Sequence, residues 1–252
     1  MKSTNNLEHE RYVQRMFSGI AHRYDLMNRV MTAGRDVSWR REVIRRAGIL
    51  TGGLMLDLGS GTGDLAFEAL RQCPSCRVMA SDFTIDMMRI GKSRPENQIG
   101  AANMLDWSAA DANKLPFPED VFDAAVSGFL LRNVRDVDRC LGEQYRVLAP
   151  GGRIAALDTT PPPQTILSPI IKFHLRYLIP TLGTIIAGQS DAYRYLPNTT
   201  ESFLHPQQLS VRLRKAGFKQ VGYLHLMFGM IAIYWGTKPK SNTKSLKHQG
   251  EE

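Results

Sequence analysis

The stretch that most constrains this chain lies at residues 55–66, with the sequence Met-Leu-Asp-Leu-Gly-Ser-Gly-Thr-Gly-Asp-Leu-Ala. It opens with apolar residues around a single acid, Asp57, which is typical of a buried strand in a parallel sheet. Alternating glycines follow, and the apolar residues after them recur at helical spacing. Glycines let the backbone bend sharply and touch a ligand, because they carry no Cβ atom. The stretch therefore predicts a strand, a ligand-binding turn and a helix.

The spacing of the glycines indicates which ligand the turn binds. A dinucleotide-binding turn has the pattern G-x-G-x-x-G/A. Here Gly59, Gly61 and Gly63 alternate, and Asp64 occupies the sixth position. Carboxylates beside the turn, Asp57 above all, suit a ligand with a cationic amine and no pyrophosphate. S-adenosylmethionine has both properties, so we expect Asp57, Gly59 and Gly61 to bind this cofactor; the simpler alternative is a strand-to-helix turn that binds nothing.

Further acids stand where later strands are expected to end. Asp82 closes the second predicted strand, residues 77–82. An acid at that tip binds ribose hydroxyls in S-adenosylmethionine and NAD enzymes alike, so Asp82 indicates adenosine without choosing between them. Asp111 and Ala112 follow the third strand, around residues 103–110. Asp111 can accept a hydrogen bond from an adenine amino group, and its alternative role is that of a turn or cap residue.

The rest of the chain predicts a doubly wound α/β domain with elaborations, which its 252 residues can accommodate. A doubly wound sheet that closes with a hairpin differs from the all-parallel dinucleotide-binding fold. The predicted elements are helices within residues 8–48, a strand at 122–127, a helix capped by Asp136 and ended by residues 150–152, a strand at 153–157, a helix at 206–216, and hairpin strands at 221–226 and 230–235.

We divide the chain into five regions. The insertion contains the apolar segment Ile166–Ala187, which prolines interrupt, so we expect helices over a cavity instead of a membrane span. The regions are an N-terminal helical cap at 1–50, a cofactor-binding core at 51–160, substrate-covering helices and a lid at 161–205, the last helix and hairpin at 206–237, and a polar, disordered tail at 238–252.

The charge and the cysteine content indicate the compartment and the partners of the protein. Three cysteines and an N-terminus without an apolar run indicate a reducing, cytoplasmic compartment. The net charge is +8, with a cluster at Arg40, Arg41, Arg45 and Arg46 that reads as a solvated helix face or as a contact with an anionic membrane. We expect no nucleic-acid partner, because no nucleic-acid-binding module is visible. We also expect no metal site, because the six histidines are scattered.

The chain resembles the ubiquinone/menaquinone biosynthesis C-methyltransferase family over roughly residues 12–237. The resemblance rests on Arg-Tyr-Asp-Leu-Met-Asn at 23–28, Phe-Leu-Leu-Arg-Asn-Val at 129–134 and the glycine turn, and the menaquinone branch is the most similar. It implies a Rossmann-like class I methyltransferase fold, with a mostly parallel seven-stranded sheet closed by a C-terminal hairpin. It implies S-adenosylmethionine-dependent C-methylation of an isoprenoid quinol, demethylmenaquinol first. The family's usual glycine is Leu130 here, so another quinol or phenolic ring is the alternative substrate.

The resemblance also implies site residues. Its chemistry needs a ring carbon activated by loss of a phenolic proton, with a pKa near about 10. Arg132 can stabilise the oxyanion, Asn133 can orient it or a water, and Tyr24 can relay the proton. His174 is a further candidate, although a histidine on a covering helix is the simpler interpretation. The implied cofactor contacts are Thr62, Asp82, Asp111, Ala112 and Gly128.

Other function classes fit the residues less well. An NAD-dependent oxidoreductase is disfavoured by Asp64 and by the closing hairpin, and an RNA methyltransferase by the lack of a nucleic-acid module. A non-catalytic methyltransferase-like binding protein is disfavoured by the intact acids together with Arg132 and Asn133. Two further hypotheses concern assembly: peripheral contact with the inner face of the cell membrane, and a homodimer.

Overall fold

Seven strands and the helices between them make up the part of the chain that a computed structural model describes, residues 12–99, 103–162 and 199–240. The strands are β1 (Leu54–Leu58), β2 (Arg77–Asp82), β3 (Leu105–Ala109), β4 (Phe122–Gly128), β5 (Leu148–Thr159), β6 (Lys219–Leu226) and β7 (Ile231–Thr237). The helices are Tyr24–Met31, Asp36–Ala47, Asp64–Gln72, Ile85–Ser93, Pro95–Ile99, Val137–Val147 and Pro206–Lys215; residues 12–20 and 199–202 are also helical. Short 3-10 turns lie at Ala21–Arg23 and Met227–Gly229.

The strands form one sheet in the order β3-β2-β1-β4-β5-β7-β6. Strands β1 to β5 are parallel, and β7 runs antiparallel to both β5 and β6. The strand order reverses at β1, because β2 and β3 lie on one side of it and β4 and β5 on the other. In doubly wound sheets such a reversal marks the place where ligands bind, outside the carboxyl ends of the strands. The predicted mostly parallel sheet with a closing hairpin is confirmed.

Helices cover both faces of the sheet, because neighbouring residues of each central strand point to opposite sides. Met55 of β1 packs with Trp39, Val43 and other residues of the Asp36–Ala47 helix on one face. Leu56 packs on the other face with side chains of the Val137–Val147 and Pro206–Lys215 helices. The N-terminal helices are therefore part of the core, and they stand directly beside the strand that leads into the glycine turn.

Local signals explain where several helices begin and end. The Asp36–Ala47 helix stops at Gly48, whose φ of 57° is a left-handed conformation that glycine adopts without strain. The Val137–Val147 helix begins after Asp136, whose carboxylate accepts a hydrogen bond from the Arg139 N–H at 3.0 Å. Both boundaries agree with the sequence.

Two predicted boundaries are wrong. The helix expected to reach residues 150–152 ends at Val147, and β5 starts at Leu148, because Leu148 already pairs with Phe122 across the sheet. Lys238, assigned to the tail, is held in place: its ammonium group lies 2.6 Å from Asp120 Oδ1, and its backbone pairs with Gly151 and Gly152. The ordered chain therefore extends past Thr237.

Predictions for residues 163–198 lie outside the described residues, including the apolar segment Ile166–Ala187, His174 and the lid. Among the residues that are described, no helix is both long and apolar enough to cross a membrane.

Candidate functional site

The glycine turn lies at the carboxyl end of β1, in the centre of the sheet. Gly59, Gly61 and Gly63 all have positive φ, at 68°, 55° and 88°. The N–H groups of Gly59 and Ser60 both donate to the Ser81 carbonyl of β2, at 2.7 and 3.1 Å. Residues with a Cβ atom rarely adopt such backbone conformations, so these positions favour glycine. These hydrogen bonds to β2 fix the turn, whose backbone carries no side chain at the three glycines and is accessible to a ligand.

Asp82 joins this turn to the next strand. Its Oδ2 accepts a hydrogen bond from the Gly61 N–H at 2.8 Å, and its Oδ1 accepts one from the Thr84 N–H at 2.6 Å. Burial raises the pKa of the carboxyl, while these backbone donors act in the opposite direction. Each carboxylate oxygen has two lone pairs, so Asp82 can still accept from ligand hydroxyls. The predicted acid at the tip of β2 therefore lies at the rim of the glycine turn.

Asp57 lies fully buried in β1, just below the turn. Its Oδ2 accepts from the Ala66 N–H at 3.0 Å, whereas Oδ1 has no hydrogen-bond partner among the described residues. Burial raises the pKa of Asp57 to about 8, and the nearby charges of Asp82 and Asp64 add to the effect. Burying a carboxyl oxygen that has no hydrogen-bond partner costs free energy of folding, unless a donor or a cation binds to it.

Asp111 serves as a turn residue, as its alternative role predicted, and it also lines the site. Its Oδ1 accepts from the Asn113 N–H at 2.8 Å, and its backbone forms a short bridge with Lys114. Ala112 and Gly128, which ends β4, stand on the same cavity wall. The two roles of Asp111 are compatible, because the second carboxylate oxygen remains for a ligand.

One cavity brings together most of the residues predicted from the sequence. Apolar and aromatic side chains complete its wall, among them Phe17, Phe83, Phe129 and Leu130, so it can hold an aromatic ring away from water. The predicted residues on the wall are Tyr24, Asp57, Gly59, Gly61, Thr62, Asp82, Asp111, Ala112, Gly128 and Asn133.

Arg132 is the predicted site residue that does not line this cavity. Its Nη1 lies 2.6 Å from Asp158 Oδ1 at the end of β5, and its backbone N–H donates to Asp158 Oδ2 at 3.2 Å. The two side chains are 6% and 0% exposed. The guanidinium stands behind Phe129, 5.0 Å from its ring centre. Arg132 is therefore held by a carboxylate that the sequence had not paired with it.

The loop between Gly128 and Asn133 is strained at the cavity wall. Phe129 has a φ of 59°, which is unusual for a large side chain. Its carbonyl accepts from Asn133 Nδ2 at 2.9 Å, and Asn133 Oδ1 is buried without a partner among the described residues. The strained loop thus holds a buried acceptor, Asn133 Oδ1, that has no partner among the described residues. Backbone strain and an unpaired buried acceptor are both features of binding sites.

Tyr24 lies on the wall of the same cavity, in edge-to-face contact with Phe17. Burial raises the pKa of its hydroxyl, against the opposing effects of Asn28 and the charge of Arg132. The hydroxyl therefore keeps its proton near neutral pH and can donate a hydrogen bond.

Comparison with known proteins decides the family. The model of the ubiE/COQ5 methyltransferase family matches residues 4–238. The chain belongs to the ubiE/COQ5 methyltransferase family. This family is a group of methyltransferases, and S-adenosylmethionine is the cofactor, as the glycine turn predicted.

Individual relatives of this ubiE/COQ5 methyltransferase agree. The chain is 46% identical over 226 residues to the ubiquinone/menaquinone biosynthesis C-methyltransferase UbiE of Desulfotalea psychrophila, covering 90% of each chain. It is 41% identical over 224 residues to the demethylmenaquinone methyltransferase of Thermus thermophilus, covering 89% of this chain and 100% of the relative. The solved [4+2]-cyclase SpnF shares the fold at a TM-score of 0.69 and 18% identity, covering 92% of this chain and 97% of that one.

The structure also shows an ion-pair network that sequence reasoning missed. Thr62 Oγ1 donates to Asp25 Oδ1 at 2.7 Å, joining the N-terminal helices to the glycine turn. Arg94 lies 2.6 Å from Asp64 and 3.4 Å from Asp25. Asp25 belongs to the Arg-Tyr-Asp motif of the resemblance, which is the signal that could have placed it at the site.

Of the arginine cluster on the third helix, Arg41 and Arg45 lie on the solvated face that the sequence predicted, whereas Arg40 does not. Arg40 is 8% exposed and forms ion pairs with Asp36 and Asp64. Arg45 and Arg46 both bind Glu42, at 2.6 and 2.7 Å. Carboxylates on the same or a neighbouring helix thus neutralise most of the cluster. Within the described ranges, no three His, Cys, Asp or Glu side chains are placed to hold a metal ion.

Proposed function

We propose that this protein transfers a methyl group from S-adenosylmethionine to a ring carbon of an isoprenoid quinol, with demethylmenaquinol as the first candidate. Its relatives, a ubiquinone/menaquinone biosynthesis C-methyltransferase and a demethylmenaquinone methyltransferase, support a quinone-pathway substrate. The observation that carries the proposal is that Asp82 and the glycine turn line the same cavity as Tyr24, Asn133 and a set of apolar side chains.

The residues on the cavity wall fit the cofactor. Gly59 and Gly61 place bare backbone on the cavity wall, and Leu130 packs against Gly59, where a Cβ atom would lie 2.8 Å from Leu130 Cδ1. Asp57 offers a buried oxygen without a partner among the described residues, which suits the cationic end of the cofactor. Asp82 suits the ribose hydroxyls, and Asp111 with Ala112 the adenine. When bound, S-adenosylmethionine supplies an electrophilic methyl group.

The chemistry asks the protein to favour an ionised phenol in a dry cavity. We assign catalysis to Arg132, Asn133 and Tyr24. The charge of Arg132, fixed by Asp158, acts at the Tyr24 hydroxyl and stabilises an oxyanion beside it. Asn133 orients the substrate oxygen or a water, and Tyr24 donates a hydrogen bond. The apolar wall strengthens these interactions by excluding water.

A different quinol or phenolic small molecule is the second candidate substrate, because Leu130 narrows the cavity beside Gly59. One experiment distinguishes the candidates. The purified protein is incubated with methyl-labelled S-adenosylmethionine and a membrane lipid extract, with heat-inactivated protein as the control. Label in a menaquinone-type lipid supports the first candidate and label in another phenol the second, whereas an unlabelled extract contradicts the proposed activity.

We also propose peripheral contact with the inner face of the cell membrane, since an isoprenoid substrate resides in the bilayer. Support comes from Phe228, which is 74% exposed at the tip between β6 and β7, on the carboxyl edge of the parallel strands where the cavity lies. Its φ of 54° is strained, and the tip is tied to Thr160 through the Gly229 carbonyl at 2.6 Å.

Vesicle flotation tests this contact. We expect Phe228→Ser to weaken binding to anionic vesicles, while Leu50→Ser does not, since Leu50 is 69% exposed at the opposite edge of the sheet. Equal binding by both variants contradicts the proposal. A homodimer is also proposed, through the open edge of β6 with its exposed Leu224. Light scattering that gives a monomer mass rules it out.

A further inference from the structure

Arg40 occupies an unusual position for an arginine on an amphipathic helix. It is 8% exposed, yet it lines the cavity beside the glycine turn. Burial of a charge is costly, so a buried guanidinium needs partners. Asp36, one helical turn earlier, and Asp64, at 3.0 Å on the helix that follows the glycine turn, supply them. Arg40 therefore links the N-terminal helices to the helix that follows the glycine turn.

The two carboxylates that bind Arg40 are themselves paired with other arginines. Arg29 lies 3.4 Å from Asp36, and Arg94 lies 2.6 Å from Asp64. With Asp25, which Arg94 also contacts, three arginines alternate with three aspartates. A guanidinium has five N–H donors, and the ion pairs to Asp36 and Asp64 engage one N–H on each terminal nitrogen. Arg40 can therefore bind a further anion without losing either partner.

The methyl donor carries one anionic group, the carboxylate of its amino-acid end. Among the described residues on the cavity wall, the cationic ones are Arg40 and Arg135. Arg135 follows Asn133 in the loop after β4, on the side assigned to the substrate. Arg40 stands with Asp64 and Thr62 at the glycine turn, whereas Asp82 marks the adenosine side.

We propose that Arg40 binds the carboxylate at the amino-acid end of S-adenosylmethionine, with Asp36 and Asp64 holding its guanidinium in place. This assignment rests on the proposed function. It gives the N-terminal helices a direct part in cofactor recognition, since the residue that meets the carboxylate lies outside the glycine-turn core. Charge-assisted, paired hydrogen bonds of this kind are among the stronger polar contacts in proteins.

Two ligands that differ in the amino-acid end test the assignment by calorimetry. S-adenosylhomocysteine has the carboxylate, and 5′-methylthioadenosine lacks the amino-acid end. We expect Arg40→Gln to weaken S-adenosylhomocysteine roughly 10- to 100-fold, and 5′-methylthioadenosine by less than about twofold. The matched control is Arg94→Gln, which also loses an ion pair to Asp64 but does not line the cavity. We expect it to change both affinities alike.

The outcomes separate this inference from the proposed function. If the unaltered protein binds neither ligand, the proposed function fails first. If it binds both and Arg40→Gln keeps its preference for S-adenosylhomocysteine, or weakens both ligands equally, Arg40 does not bind the carboxylate. Should Arg40→Gln fail to fold in thermal melts, Arg40→Lys keeps the charge for Asp36 and Asp64 but lacks the planar pair of donors. If Arg40→Lys keeps the unaltered protein's preference for S-adenosylhomocysteine over 5′-methylthioadenosine, the assignment is overturned. If that preference falls by at least about fivefold, which is less than the loss of a whole paired charged contact would cause, the assignment is supported.

Discussion

Thr62 donates its hydroxyl hydrogen to Asp25 Oδ1 at 2.7 Å, so a residue of the glycine turn is oriented by a residue of the N-terminal helices. With its hydrogen engaged, the hydroxyl offers lone pairs to a ligand. We expect Asp25→Asn and Thr62→Val each to weaken S-adenosylmethionine binding by about 1 kcal/mol, the usual worth of such a bond.

The double variant gives the sharper result. Because Asp25 acts through Thr62, Asp25→Asn with Thr62→Val should bind the cofactor no more weakly than the worse single variant. Calorimetry measures all three, with Asp86→Asn as the control, since Asp86 pairs with Arg89 on an exposed helix face. Additive losses would show that the two residues act independently.

Asp82 is expected to be the strongest single determinant of adenosine binding. Asp82→Asn replaces one acceptor oxygen, now bonded to a backbone N–H, by an amide group that cannot accept. We expect a loss of roughly 1–3 kcal/mol in S-adenosylmethionine affinity, measured by calorimetry. NAD should not bind the unaltered protein. Unaltered cofactor affinity in the variant, or NAD binding, would count against the assignment.

Stability should depend on pH through Asp57. Its pKa is raised to about 8, so between roughly pH 5 and 8 the folded protein keeps a proton that the unfolded chain has lost. The free energy of unfolding of the ligand-free protein should therefore fall as pH rises through this range, by at most about 1.4 kcal/mol per pH unit from this group. Urea titrations at several pH values measure it. The slope should be reduced in Asp57→Asn and unchanged in Asp86→Asn.

Arg132 should contribute to both stability and catalysis. Arg132→Ala should lower turnover by about 10²-fold while cofactor affinity stays near normal. It also leaves Asp158 buried without its partner, which costs roughly 3–5 kcal/mol of stability. Adding Asp158→Asn should restore much of the stability but none of the turnover. Full turnover on the quinol in either variant would remove Arg132 from catalysis.

Local pattern is sufficient to predict much of this fold. Strand β2 lies at its predicted bounds and β1 leads into the glycine turn as predicted, because short apolar runs next to glycine or a terminal acid leave little freedom. The start of β5 is missed because residues 148–152 form their pairs with Phe122 and Lys238, which no local pattern reveals. The closing hairpin is predicted because both strands and their turn are contiguous in sequence.

The site is predictable to the extent that it follows from strand ends. Asp57, Asp82 and Asp111 meet because parallel strands end at one edge of the sheet. The Thr62–Asp25, Arg40–Asp64 and Arg132–Asp158 pairs join elements that are distant in sequence, so their spacing carries no signal. An arginine on an amphipathic helix is normally exposed, and the burial of Arg40 depends on an acid from another helix.

Strand β7 lies inside the sheet, between β5 and β6, although it follows both in sequence. While the ribosome is still making the chain, the outer edge of β5 has no strand to pair with until residues 231–237 emerge. Unpaired strand edges are templates for association with other chains. From the synthesis of Thr159 to that of β7, the nascent chain therefore carries an unpaired edge on β5 that only its final strand can cover.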